Sequence, residues 1–184
     1  MKTAFSVETP KIKNGILDIS KWDFKKNGIL KIAGKAPFYW KKFLDPKKII
    51  KNGPPAKDFN FDITTLWNAQ KTNLPPKTFE KGYGSYLFKV VGAKINQPDL
   101  AFEIFAFSTA YSLYKIEGNK IDKIISAGNV GKSFQTSIPT FEKTLNYFKN
   151  QTKEYYILIH SSNYHYRSGG VFYPILLGEY KQLK

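Results

Sequence analysis

The sequence predicts an all-β fold, a jelly-roll sandwich of two antiparallel sheets, and three observations carry that expectation. The chain has 184 residues, enough to bury the core of one sandwich. Aromatic residues make up 16% of it, mostly Phe (15) and Tyr (12), side chains that suit a pleated, half-buried surface. Apolar runs of strand length recur at roughly ten to fifteen residues, with turn residues between them and little helical periodicity. Residues 1–184 therefore read as a single domain, with 1–15 an extended or poorly ordered lead-in.

The lead-in, Met1 to Gly15, is polar and lacks the apolar run of a signal peptide. Ile16 to Ile19 and Ile29 to Ile32 read as opening strands, separated by Trp22, Phe24 and the turn signal Asn27-Gly28. Ala36 to Trp40 with Phe43-Leu44 forms an aromatic cluster that ends at Asp45-Pro46, where the residue before proline is steered away from helix. Residues 47–55 and 68–81, rich in Lys, Asn, Gly and Pro, read as surface loops, where binding groups usually reside.

From Gly82 the alternation strengthens. Tyr86, Phe88 and Val90 share one face of a strand. Next, Leu100, Phe102, Ile104 and Ala106 oppose Ala101, Glu103, Phe105 and Phe107, apolar on both sides as in a central strand. Tyr111 to Ile116 and Ile121 to Ser126 flank Gly118-Asn119, a pair able to supply the positive φ of a tight hairpin. Thr140 to Asn150 fits either period and is taken as a strand. Tyr155 to Ser162 is a strand, and Val171 to Leu177 closes the fold at an edge, because Pro174 cannot donate to a ladder.

The formal charge is +15, yet Arg167 is the single arginine among 29 basic residues. Proteins that read phosphates and bases lean on the bidentate guanidinium. The scattered lysines point instead to a solvated surface, or to attraction toward anionic lipid or acidic glycan, and no specific nucleic-acid partner is expected. There is no cysteine, which excludes disulfides and thiolate zinc sites. No run of eighteen apolar residues occurs, so the chain reads as a soluble domain.

Catalytic chemistry finds little footing. Ser126 to Ser133 falls one residue short of a phosphate-cradling loop, which needs Gly where Ser126 stands. It also needs a helix at Lys132-Ser133, whereas Phe134 to Pro139 is β-prone. His160 and His165 are too few for a metal site, and His160, inside an apolar strand, reads as a packed or surface residue. Ser161 and Ser162 adjoin His160 but alternate faces, so no triad forms. The 14 acids are dispersed, without the paired carboxylates of a glycosidase. No enzyme activity, cofactor or metal is expected. Asn163 to Ser168 packs hydrogen-bonding groups and two aromatic rings before Gly169-Gly170, and reads either as contact with a sugar-like ligand or as a structural strand end.

Several segments in order carry a family resemblance. They are Leu17 to Trp22, Gly34 to Trp40, Phe43 to Pro46, Trp67-Asn68, Gly82 to Tyr86, Ser108 to Tyr114, Gly118 to Lys120, Gly128 to Gly131, Ser162 to His165, Gly169-Gly170 and Leu177-Gly178. Along nearly its whole length the chain resembles the extracellular jelly-roll domain, second type, of bacterial seven-transmembrane receptors with diverse intracellular signalling modules. It also resembles the wider galactose-binding-like folds appended to glycosidases. The family's hairpin usually reads Asn-Gly where this chain has Gly118-Asn119.

The resemblance implies a sensor on the periplasmic or extracellular side of the inner membrane that binds carbohydrate or another small polar molecule. It would act on the membrane helices of a parent receptor through its end near Tyr180. The alternative is a homodimerisation or protein-interaction module of the same receptor. The expected ligand contacts are Trp67 and Tyr83 for stacking, Tyr111 for stacking plus a hydroxyl, and Asn163, His165 and Arg167 for polar fixing. Against this, Trp67, Tyr83 and Tyr111 also suit the core of a sandwich.

Overall fold

Alternating side chains sort themselves by strand face, and in the computed structural model, which describes residues 7–95, 99–106, 108–171 and 173–184, that sorting builds two sheets around one core. Among the described residues the larger sheet has seven strands: β1 (Ile16–Asp18), β3 (Lys35–Trp40), β4 (Phe59–Asp62), β5 (Gly82–Val91), β7 (Ala110–Glu117), β8 (Lys120–Ala127) and β10 (Glu154–Asn163). The smaller has four: β2 (Leu30–Ile32), β6 (Leu100–Ala106), β9 (Glu142–Phe148) and β11 (Ile175–Glu179). Their orders are β4-β3-β5-β10-β7-β8 and β2-β11-β6-β9. All pairings are antiparallel except β1, which runs parallel to β5 at Lys89–Val91, beyond the part of β5 that β3 occupies. This is an all-β jelly-roll sandwich.

Phe38, Phe61, Tyr86, Phe88, Leu113 and Ile157 of the large sheet bury against Phe102, Ile104, Ile175 and Leu177 of the small one. Each such side chain contributes about 1.5–3 kcal/mol by leaving water. The outer face of the large sheet is covered too: Tyr39, Leu87, Ile116 and Leu158 form a second cluster under the short helix α2 (Pro46–Asn52), which follows the single turn α1 (Phe24–Asn27) in the chain.

Several expectations change. Residues 47–55 do not simply loop, because Asp45 caps α2 by accepting from Lys47 N–H and Pro46 takes the first helical position. Asp-Pro, read as a stop, is here a start. The segment 68–81 carries 3-10 turns at Trp67–Ala69 and Pro76–Phe79, and the second buries Phe79 in the core. Strand β11 is central, between β2 and β6, since Pro174 lies just before its first residue and breaks no ladder bond. The lead-in is tied down from Ile12, which is buried and bridged to Gly34. Residues 1–6 and the face assigned to Phe107 lie outside the described residues.

Register fixes two ends. Glu117 pairs with Lys120, and Leu100 with both Phe148 and Glu179, so the β7–β8 turn, residues 149–153 and the terminal helix α3 (Tyr180–Leu183) share one end. Ala106 pairs with Glu142, Tyr111 with Ala127, and Asn163 with Gly82, placing loops 128–141 and 164–171 at the other. At the α3 end a buried ion pair locks the turn. Lys115 Nζ meets Glu117 and donates to Lys149 O at 3.0 Å, while Glu117 accepts from the backbone N–H of Gln151 and Thr152 at 2.9 and 2.8 Å.

Candidate functional site

The loop end is built on a tied loop. From β8 the chain turns at Gly128, φ 65°, and Asn129 and Ile138 exchange backbone hydrogen bonds at 2.8 and 2.9 Å. Gly131 donates to Ser162 Oγ, which also meets Ser137 Oγ at 2.8 Å. A Cβ on Gly131 would stand 2.2 Å from Thr136 C, so glycine is required by close approach. Lys132-Ser133 starts a turn and no helix. The phosphate-loop likeness is therefore a surface loop pinned to β10, and it carries Phe134 at 57% exposure.

His165 holds that tip. Its Nε2 lies 3.0 Å from Phe134 O and 2.6 Å from Ser137 O. Carbonyls only accept, so Nε2 carries the proton and donates. The imidazole also sits against the Phe134 ring, centroids 4.1 Å apart. Tyr166 follows, edge-to-face with Phe141 at 5.8 Å. Phe141 is 54% and Ile138 56% exposed. Linked through the adjacent His165 and Tyr166, the two ring pairs make an aromatic strip, and exposed Arg167 is the next residue in the chain.

Asn163 lies beneath the strip, buried, and does not face solvent. Its amide donates to Glu80 O and Tyr166 O at 3.0 and 2.9 Å, and its Oδ1 accepts from Tyr166 N–H at 3.0 Å. It shapes the 163–166 turn and so positions Tyr166. Tyr83 is half-buried at the border, packed on Phe43 at 4.7 Å, with Lys132 Nζ over its ring at 5.9 Å. Tyr164 donates to Lys132 O at 2.5 Å, and burial pushes its hydroxyl pKa up, with Tyr83 adding to that.

Two expected contacts are core residues. Trp67 is 0% exposed, roofed by Gly169-Gly170; a Cβ on Gly169 would stand 2.5 Å from its Cε3. Its indole donates to Tyr86 OH at 2.9 Å, and burial raises the Tyr86 pKa despite that bond. Tyr111 spans the sandwich, donating to Ile104 O at 3.3 Å and meeting Thr144; burial pushes its pKa up to about 12. Neither ring can stack on a ligand from outside. His160 is packed as well: it stacks on Phe43 at 4.9 Å and donates to Leu44 O at 2.9 Å. Burial lowers its pKa, against the pull of that carbonyl, and Lys123 lowers it further.

The structure thus gathers His165, Arg167, Asn163 and Tyr83 at one end and adds Phe134, Ile138, Phe141 and Tyr166. Tyr166 belonged to the Asn163–Ser168 stretch already read as a possible sugar contact, whereas Phe134, Ile138 and Phe141 were passed over because they lie outside any strand, where alternation carries no information. The available signal was large apolar residues inside a Gly-, Ser- and Thr-rich segment. Among the described residues no three of His, Cys, Asp and Glu gather as metal ligands, and no helix is long and apolar enough to cross a membrane.

No family model and no curated protein matches the chain by sequence. Solved structures match by shape. A GH2 beta-galacturonidase from Eisenbergiella tayi bound to galacturonate aligns with TM-score 0.52 and 12% identity, over 82% of this chain and 24% of that one. Ruminococcus gnavus beta-glucuronidase aligns with TM-score 0.52 and 10% identity, over 81% and 27%. The same enzyme in complex with D-glucuronic acid gives 0.52 and 11%, over 81% and 29%. This chain spans about a quarter of the length of those proteins. The likeness is one of fold, a β-sandwich.

Proposed function

We propose that this sandwich is a non-catalytic, carbohydrate-binding sensor domain of a bacterial membrane receptor, lying on the outer side of the inner membrane. The observation that carries the reading is the exposed strip of Phe134, His165, Tyr166 and Phe141, with exposed Arg167 next in the chain. A pyranose has a flat C–H face and a hydroxyl rim. Aromatic surface meets the first and a few fixed polar groups meet the second, while a guanidinium fork suits a sugar carboxylate.

Two further points support an acidic sugar. The solved neighbours include enzymes bound to galacturonate and D-glucuronic acid, and a net charge of +15 attracts anionic ligands. The His165 imidazole is engaged with two carbonyls, which suits holding a loop more than moving a proton. The receptor part rests on the sequence resemblance. It is supported by the placement of the strip opposite α3, which leaves that end for the membrane helices. Ligand would signal by binding one arrangement better than another, and by no more than that difference.

Calorimetry and thermal shift with neutral and uronate oligosaccharides test the reading. Saccharide should raise the melting temperature of the native protein. Phe134→Ala with Tyr166→Ala should weaken binding about tenfold or more without altering the unliganded melting point. Flat isotherms with every saccharide, together with concentration-dependent self-association in sedimentation, would replace this reading with that of a dimerisation module.

A further inference from the structure

We propose that the outer face of the large sheet, where it carries α2, docks on an anionic lipid bilayer. The proposal takes from the receptor reading only the nearness of a membrane, and it shares no residue with the saccharide strip.

Residues 41–58 hold six lysines against two aspartates. Helix α2 sorts three of them. Ile49 is buried and Ile50 half-buried against the cluster of Tyr39, Leu87, Ile116 and Leu158 on the outer face of the sheet. At 3.6 residues per turn, Lys47, Lys48 and Lys51 share an arc of about 100° on the opposite side of the helix, and all three are exposed. Two more exposed lysines stand on the same face of the sheet. Lys123 is opposite Tyr114, whose partner on β10 is Leu158. Lys132 Nζ lies over the ring of Tyr83, which shares its side of β5 with Leu87.

Among the described residues none of these five lysines forms an ion pair. The carboxylates around α2 are already engaged: Asp45 accepts from Lys47 N–H at 2.9 Å, Asp58 meets Lys42 at 2.6 Å, and Glu154 meets Lys89 at 2.8 Å. Asp18 and Asp62 lie on the outlying strands β1 and β4. The face therefore keeps a net positive field.

The kind of partner follows from what these groups can and cannot do. Lysines alone offer no guanidinium fork for reading phosphates or bases one by one. No exposed ring stands among them for a sugar to stack on, since Tyr39 is buried and Tyr83, Tyr114 and Tyr156 are half-buried. Hydrated ammonium groups on flexible stems, raised on a helix and not gathered in a cleft, suit a diffuse negative surface. Anionic headgroups supply one. Their attraction acts over about a Debye length and strengthens binding about fivefold for each lysine near the surface.

The test is co-sedimentation of the native protein with vesicles of phosphatidylcholine alone, and of phosphatidylcholine with phosphatidylglycerol at about two to one. Binding is expected only to the mixed vesicles and should fade as salt rises. Lys47→Ala with Lys48→Ala and Lys51→Ala should weaken it about a hundredfold, and Lys123→Ala with Lys132→Ala by a smaller factor. Alanine keeps the helix propensity, and circular dichroism checks the fold. Lys153→Ala with Lys181→Ala and Lys184→Ala removes three exposed lysines from the α3 end and should change binding by no more than about twofold. Native protein that ignores the mixed vesicles overturns the proposal. So does an equal loss in the α2 and α3-end variants, which would trace the binding to net charge. Polygalacturonate held through the α2 lysines, with the mixed vesicles left free, would give the face to an acidic glycan and overturn the bilayer assignment. Saccharide titration of the α2 variant separates the two readings: retained saccharide binding with lost vesicle binding is the expected pattern. Vesicle binding by a native chain that answers to no saccharide would sink the loop-end site and leave this face standing.

Discussion

The indole Nε1 of Trp67 donates to the hydroxyl of Tyr86 at 2.9 Å, with both residues fully buried. The bond joins the 3-10 turn at Trp67–Ala69 to the middle of β5. Through Trp67 N–H it reaches Gly169 O at 2.9 Å as well, so one residue ties the core to the loop end. Removing a buried partner costs more than the bond's net worth, because the remaining group is left dry and unpaired. Tyr86→Phe should therefore destabilise by about 1–3 kcal/mol, and Trp67→Ala by about 3–5 kcal/mol. Urea unfolding followed by tryptophan fluorescence measures both.

The Lys115–Glu117 pair makes a separate prediction. Burial raises the Glu117 pKa, but hydrogen bonds from Lys115, Thr152 and Gln151 outweigh it and hold the carboxyl below its usual value. Its contribution is present above the unfolded value of about 4.5 and is lost as pH falls through the folded one. Glu117→Gln should strand the buried ammonium and cost about 3–5 kcal/mol at neutral pH. It should also remove part of the acid limb of a melting-temperature profile taken from pH 2 to 7.

His160 predicts a slope of the other kind. Its folded pKa is depressed below 6.5, chiefly by burial, so the unfolded chain binds the proton more readily. Stability should rise with pH through the region below about 6.5 and level off above it. His160→Gln should flatten that rise. An unchanged slope between pH 5 and 8 in urea midpoints would show that His160 is not its source.

His165→Ala should act locally. The Phe134 and Ser137 carbonyls lose their shared donor at an exposed loop, so global stability should fall by only about 0.5–1.5 kcal/mol. Hydrogen exchange should quicken across residues 133–138, and saccharide affinity should drop with the release of Phe134. Faster exchange without weaker binding would separate the loop from the ligand.

Much of the fold was legible. The faces of β5 and β6 followed from alternation, and the β7–β8 hairpin from Gly118, whose φ of 57° is the conformation the turn needs. Asp45-Pro46 was legible too but admitted two meanings. Only the Lys47 N–H reaching the Asp45 carboxylate at 2.9 Å distinguishes a cap from a break. The candidate site was half legible: the Asn163–Ser168 stretch, with His165, Tyr166 and Arg167, stood out as a group, while Phe134 and Phe141 resembled any other aromatic residue.

The sequence by itself determined the layers of this protein, because a side-chain period of two commits each strand residue to one face whatever its partners are. It could not determine which loop aromatics turn inward. Trp67 is buried because the Gly169-Gly170 segment closes over it, with Ser168 Oγ donating to Asn68 Oδ1 at 2.6 Å across a separation of 100 residues. Phe134 is exposed because His165 and Ser162 pin its loop outward. Those choices depend on what arrives from distant chain to cover or hold a ring, and only the folded structure brings it there.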